Sequence, residues 1–327
     1  MEEKRPRGLR ALANMCGNAG MLVVFVVLFV GVSIFVPSFL TPFNMKALAV
    51  SVATVGMVSC TMLFCLASGH FDLSVETILS MSGVLAAVVV AFTGNALLGV
   101  FAGIAAGGVV GAVNGIVIAK FKINALITTL ATMQIVKGLG YLICNGEAVS
   151  VGNESFFLLW TSAIFGIPTP VWITALCFIF FGILLNKTVF GRHTLAIGGN
   201  KEAVRLAGID VFKTQFGIFL MQGFVAGFAG VIVASKITSG QPKPPEGFAL
   251  DVISACVLGG VSLSGGVGTM TGAIVGVLIM GTVANAMNLL NIDTFYQYVV
   301  RGSILLAAVL FDKYGQSRKG KRIAQTS

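Results

Sequence analysis

Charge is what this chain has least of. Only 10% of its 327 residues are charged, against about 25% in a soluble domain. There are two histidines, His70 and His193, far apart and without a ligand cluster beside either, so no metal site is expected. None of the six cysteines (Cys16, Cys60, Cys65, Cys144, Cys177 and Cys256) forms a CxxC pair. They read as small apolar packing residues. A G-x-x-x-x-G-K-[ST] phosphate loop is missing, which excludes ATP binding by that route. No Ser–His–acid set or paired-carboxylate motif stands out, so no catalytic residue is assigned. Two tryptophans and four tyrosines leave few platforms on which a sugar could stack. The net charge of +9 comes without a basic stripe interleaved with aromatics, so a nucleic-acid partner is not expected.

What fills the chain instead is apolar residues, 56% of the total, in repeated blocks. Ten are recognisable, at about 18–36, 45–66, 73–92, 96–119, 125–144, 171–185, 214–234, 250–266, 272–289 and 295–311. Most approach the ~20 residues that span a bilayer as a helix. The expected fold is an all-α polytopic membrane protein of about ten transmembrane helices. The first block is too long for a signal core and lacks a small-residue cleavage site. It is read as a span that stays in place. With the N-terminus in the cytoplasm, the cytoplasmic segments hold 4 + 2 + 5 + 5 = 16 of the 21 Lys and Arg. The positive-inside rule therefore puts both termini and the central loop in the cytoplasm. The domain reading is a cytoplasmic segment 1–17, one transmembrane domain 18–311, and a basic tail 312–327. Trp160 and Trp172 then sit at the opposite face, where an interfacial aromatic belt belongs.

The polar stretch 186–213 interrupts the apolar blocks. Asn200 is a candidate N-cap, Glu202 lies in the first turn where the dipole favours an anion, and Gly208 stands where a left-handed residue ends a helix. About seven helical residues are too few to be stable alone in water. The segment reads as a docking element. Elsewhere, Gly99, Gly103, Gly107, Gly111 and Gly115 share one helix face, which predicts close helix packing. Gly69-His70-Phe71-Asp72-Leu73-Ser74 and Gly259-Gly260-Val261-Ser262-Leu263-Ser264 each precede an apolar block, 190 residues apart. They hint at two related halves. Six blocks separate them, however, where an inverted five-helix repeat needs five, so either one block is re-entrant or the repeat reading fails.

Polar side chains at membrane depth cost a few kcal/mol each and mark cavities or partners. The pathway candidates are Asp72, Ser74, Asn114, Asn124, Gln134, Asn285 and Asn288. Asp72 has a plainer reading as the N-cap of a helix starting at Leu73, with Glu76 in its first turn. Lys137 and Arg301 either pair with an acid such as Asp72 or snorkel to the interface.

The central stretch resembles the loop of permeases of ATP-binding-cassette importers, whose pattern is Glu-Ala-Ala, three residues, then Gly. Here it reads Glu202-Ala203-Val204, three residues, then Gly208, with Val in the third place and without the family's later Leu-Pro. The likeness runs from about Gly20 to Tyr314. It is carried by CLASGHFDLSVE, IAKFKINALITTLATMQIVKGLGYLI, ESFF, LLNKTVFGRHTLAIGGNKEAVRLAGI, VISACVLGGVSLSGG, ANAMNLLNI and QYVVRGSILLAAVLFDKY. These segments resemble the ribose/xylose/arabinose branch, most nearly its L-arabinose permeases. The resemblance implies a homodimeric inner-membrane permease that receives sugar from a periplasmic binding protein. It also implies a cytoplasmic ATPase subunit carrying ATP and Mg, with no cofactor on this chain. The loop residues Gly199, Asn200, Lys201, Glu202, Ala203, Arg205 and Gly208 would couple the two subunits. Permeases for ribose, xylose or another small sugar are the alternatives, and a stand-alone secondary transporter or channel is the rival from another class.

Overall fold

Helix after helix in this chain starts at a short polar side chain and runs through an apolar block. In this computed structural model the backbone of residues 7–324 is described, and the side chains of residues 20–310, 312 and 313. Lys4, Arg5, Arg7, Arg10, Cys16, Arg318, Lys319, Lys321 and Arg322 lie outside the residues whose side chains are described. The elements follow in the order α1 (Arg7–Phe35), α2 (Pro42–Ala67), α3 (Val75–Thr93), α4 (Ala96–Ala119), α5 (Ala125–Ile143), β1 (Val149–Ser150), α6 (Glu154–Thr161), β2 (Ala163–Ile164), β3 (Ile167–Pro168) and α7 (Thr169–Lys187). Then come α8 (Val189–Leu206), α9 (Val211–Ile237), β4 (Ser239–Gly240), α10 (Phe248–Leu258), α11 (Met270–Leu289) and α12 (Thr294–Ala324). Thr41, Asn95, Asn124, Asn153, Asp210 and Thr269 each accept a hydrogen bond from a first-turn backbone N–H. Each satisfies a donor that the helix itself leaves free.

Seven of these helices, α2, α3, α4, α5, α7, α9 and α11, are long and apolar enough to cross a membrane. Three shorter apolar stretches, Gly20–Phe35, Phe248–Leu258 and Thr294–Leu310, make 7 + 3 = 10. Every apolar block of the sequence therefore overlaps a helix, and the chain is an all-α multi-pass membrane protein.

The block 250–266 departs from expectation. Only Phe248–Leu258 is helical, 11 residues, or about 16 Å, half a bilayer. Glycine ends it early. Gly260 has φ +83°, its N–H donates to the Val257 carbonyl, and the Val261 N–H donates to the Cys256 carbonyl, a left-handed helix stop. The other half of this passage is extended chain. β4 pairs with β1, Val149 opposite Gly240, and Gly240 is wedged against Val84 and Ala87 of α3. Pro245 lines one cavity with Leu79 and Ser80 of α3, and Ala249 N–H donates to a Glu76 carboxylate oxygen over 3.4 Å. Irregular backbone at membrane depth is tolerated where protein covers it, and here α3 does so.

The most extensively packed helices against one another are α3, α4 and α9, and Phe64, Ile78, Phe219 and Val252 are fully buried in the main core. The glycine face of α4 is packed rather than open. A Cβ at Gly107 would strike the Gly223 carbonyl, and one at Gly223 would strike the Gly107 carbonyl. This is the close backbone approach that small residues allow between helices in lipid. Towards the end of the bundle opposite α8, the Trp172 indole N–H donates to the Ile164 carbonyl and the Lys236 ammonium lies over the Trp160 ring.

Candidate functional site

The stretch 186–213 folds as two short helices set end to end. Asn200 is non-helical, with φ −160° and ψ 96°, and its Oδ1 accepts from the Ala203 N–H at 2.9 Å. Gly208 has φ +79°. Helix is also present before Asn200, over Val189–Gly199, where the sequence reading assigned none. Thr188 Oγ1 starts it by accepting from the Gly191 N–H. Lys201, Glu202, Arg205 and Gly208 are exposed, and the bare Leu206 side chain is 78% exposed. Glu202 and Arg205 pair with each other, and the Arg205 guanidinium holds the Glu202 carboxyl below its usual range.

This element is knitted to both breaks in the helix pattern. Gly198 packs so tightly on the end of α2 that a Cβ there would enter the Ala67 carbonyl. The same Ala67 carbonyl accepts from the Gly266 N–H at 2.8 Å, and a Cβ on Gly265 would lie 2.8 Å from Gly198 Cα. Three backbones, from α8, the α2–α3 break and the α10–α11 loop, thus meet at one point.

A chain of hydrogen bonds runs through the same place. Lys201 Nζ donates to Gln215 Oε1 at 3.2 Å. A lysine can only donate, so the Gln215 amide is oriented with Nε2 towards His70 Nε2, 3.1 Å away. Ser68 Oγ–H donates to the Cys65 carbonyl at 2.8 Å, which leaves Ser68 Oγ to accept from His70 Nδ1–H at 3.1 Å. Every polarity is therefore fixed, from the docking element to the end of α2. Burial, and then the Lys201 ammonium, push His70 down to about 4, so it is neutral at physiological pH.

Beside it lies a buried polar cluster. Asp72 is fully buried, and its Oδ1 accepts from Ser74 N–H at 2.9 Å and Ser74 Oγ–H at 2.6 Å. Its Oδ2 has no hydrogen-bond partner among the described residues. Asn114 Nδ2 donates to Ser74 Oγ at 2.9 Å, and Thr132 Oγ1–H donates to Asn114 Oδ1 at 2.7 Å. Asp72 is not the N-cap of α3. The helix starts at Val75, after Ser74, because Asp72 closes a turn on Ser74 before helical geometry begins.

The other candidates lie apart from this cluster. Asn124 caps α5 through the Leu126 and Ile127 N–H groups. Gln134 and Lys137 are exposed near the middle of α5. Asn285 and Asn44 exchange two hydrogen bonds of 2.9 Å, and Asn288 Oδ1 accepts from Gln297 Nε2 at 3.0 Å. Arg301 pairs with Asp251, 2.8 Å apart, rather than with Asp72. Sequence reasoning missed Ser68, Thr132, Gln215 and Gln222. Gln222 is fully buried with both amide atoms unpartnered among the described residues. The available signal was two glutamines seven residues apart, on one face of an otherwise apolar α9.

Comparison with known proteins places the chain in a family. The family described as "Branched-chain amino acid transport system / permease component" matches residues 44–309. The L-arabinose transport system permease protein AraH of Escherichia coli (strain K12) is 57% identical, over 96% of each chain. The L-arabinose ABC transporter permease protein AraH of Azospirillum brasilense is 50% identical, over 94% of this chain and 90% of its own. The ribose import permease protein RbsC of Bacillus subtilis (strain 168) is 40% identical, over 95% of this chain and 96% of its own. No solved structure matches the chain.

Proposed function

The chain belongs to the family of permease components of the branched-chain amino acid transport type, and from that premise we propose that it is the membrane subunit of an ATP-driven importer of L-arabinose. The observation that carries the substrate is identity of 57% across 96% of both chains with an L-arabinose permease. The ribose permease at 40% identity supports ribose, or another small sugar, as the second reading.

In this reading ATP is bound and hydrolysed on a cytoplasmic partner subunit. The sugar is delivered by a binding protein on the opposite side. Both termini and α8 face the cytoplasm, as the distribution of Lys and Arg favours. The docking surface is Gly199, Asn200, Lys201, Glu202, Ala203, Arg205 and Gly208, with the exposed Leu206 at its tip. Movement of α8 reaches the α2–α3 break through Gly198 and through the Lys201–Gln215–His70–Ser68 chain. A second copy of the chain is supported by α5. Gln134 and Lys137 lie bare near the centre of a membrane-length helix, where polar side chains need a partner or a water-filled path. ATP-driven closure then biases two states of the permease through differential contacts.

The test is uptake of radiolabelled L-arabinose into proteoliposomes holding this chain and its genomic neighbour ATPase, with the binding protein outside. Uptake that needs all three components and resists excess ribose and xylose is the expected result. Uptake of another sugar instead would keep the machine and replace the substrate. Entry without the ATPase would make the chain a carrier or channel. Glu202→Lys and Gly208→Pro are expected to abolish sugar-stimulated ATP hydrolysis in inserted protein, and normal stimulation in both would remove α8 from the coupling role.

A further inference from the structure

One ion pair in the membrane domain belongs to none of the groups above. Asp251 lies in the first turn of the half-length α10, where the dipole favours an anion. Arg301 is the eighth residue of α12, about 10 Å along it. Their contact is one hydrogen bond of 2.8 Å, from Arg301 Nη1 to Asp251 Oδ2. A guanidinium has five N–H donors, and a carboxylate about four acceptor positions. Both side chains line a cavity of about 330 Å³.

The same cavity is lined by Ser51, Asn285 and Asn288. The two asparagines are held in place by Asn44 and Gln297, so their amides are pre-oriented. Val52, Val55 and Ile304 supply apolar wall. A mostly apolar chamber with a few convergent polar groups is the usual form of a small-molecule site, and ~300 Å³ is the small end of the range. The cavity lies between the first half of α2, the start of α10, α11 (mostly its second half) and the first half of α12. In the orientation proposed above, that is the outer half of the membrane domain.

We propose that this chamber is a sugar-binding way-station within each protomer, taking a neutral monosaccharide of pentose size. The charges select for neutrality. An anion would gain from Arg301 and lose to Asp251, and a cation the reverse. A sugar uses both, since one hydroxyl donates to the carboxylate while another accepts from the guanidinium. Its C–H faces meet the valines and Ile304. The proposal rests on the importer reading and adds to it a place, lined by residues of a single chain.

The experiment uses the reconstituted importer with Ser51→Cys and a membrane-permeant maleimide, the parent protein giving the background from native cysteines. The expected result is labelling at position 51 that saturating L-arabinose slows at least about three-fold and maltose does not. Labelling unaffected by arabinose, or no labelling at all, would overturn the proposal. The second measurement fills the chamber with Ala284→Leu, leaving the ion pair in place. Arabinose uptake at least ten-fold lower per inserted protein supports the site, and parental uptake overturns it. Arabinose uptake by the parent is read first in the same vesicles, and its absence there would strike the importer reading itself.

Discussion

The helices α2 and α10 stop in the same way and are followed by very different chain. At the end of α2, Gly69 has φ +79°. Its N–H donates to the Leu66 carbonyl, and the His70 N–H donates to the Cys65 carbonyl. At the end of α10, Gly260 has φ +83°, and the same two bonds run from Gly260 to Val257 and from Val261 to Cys256. Even the cysteines correspond. The structural offset is therefore 191 residues, one more than the sequence match implied. Beyond the stop the two diverge. The first break carries a buried carboxylate and a histidine, wired through side chains to α4, α5 and α9. The second is held through its main chain, by backbone and side-chain acceptors and by close backbone contact. The Ser262 N–H donates to the Val267 carbonyl, the Leu263 N–H donates to Asp312, and Gly265 and Gly266 press on Gly198 and Gly199. The lesson is that one local device for ending a helix serves two purposes: one break presents chemistry, the other close contact.

The largest expected effect comes from destroying the contact. Gly198→Ala puts a methyl group into the Ala67 carbonyl and within 2.4 Å of the Gly266 nitrogen, and backbone cannot yield as a flexible side chain would. Overpacking of this kind costs about 1–3 kcal/mol. The upper end is expected here, with ATP-dependent uptake lost. A parental melting temperature and normal uptake would show that the three backbones do not meet as described. The first break should respond to chemistry instead. Asp72→Ala leaves the Ser74 N–H without its acceptor, at a cost of about 1–3 kcal/mol. Asp72→Asn keeps an acceptor oxygen and removes a buried charge, so it should melt at or above the parent. A ranking with Asn below Ala would break the comparison.

Much of this was legible in the sequence, and the reason is local. Ten apolar blocks, the Asn200 cap and the Gly208 stop are each set by residues within a turn or two of one another. What could not be read was set by distance along the chain. His70 meets Gln215 across 145 residues, and Arg301 pairs with Asp251 across 50 residues rather than with Asp72. The block 250–266 looked like a full span because composition does not reveal that glycines cut it in half. The pathway candidates scattered for the same reason. Asp72, Ser74 and Asn114 converge, while Asn285 and Asn288 line a different chamber.

A smaller effect separates the breaks by pH. His70 lies outside α2 and α3 and is held at about 4, against roughly 6.5 in an unfolded chain. Between those values His70 binds more protons in the unfolded state, so its own contribution to stability rises with pH by about 1 kcal/mol per pH unit. Asp72, pushed up to about 6 by burial, opposes it, because the folded state then holds the extra proton. His70→Asn should therefore tilt the stability curve downward with pH by about the slope it removes, while changes in the 259–268 loop, which holds no titrating side chain, should not. A slope unchanged in His70→Asn would mean that the histidine is solvated and the hydrogen-bond chain from Lys201 is absent.

The smallest effect tests the likeness itself. Gly69 and Gly260 both sit in the left-handed region. A Cβ at Gly69 would come no closer than 3.8 Å to Ser264 O, and one at Gly260 would meet nothing within 4 Å. Alanine at either place is therefore penalised by backbone strain alone, about 1–2 kcal/mol. If the two stops are the same device, Gly69→Ala and Gly260→Ala lower stability by equal amounts, measured as paired melting shifts in detergent. A loss at Gly69 several times that at Gly260 would mean that the first stop also positions His70 and Asp72, and that the two ends are alike in hydrogen bonds only.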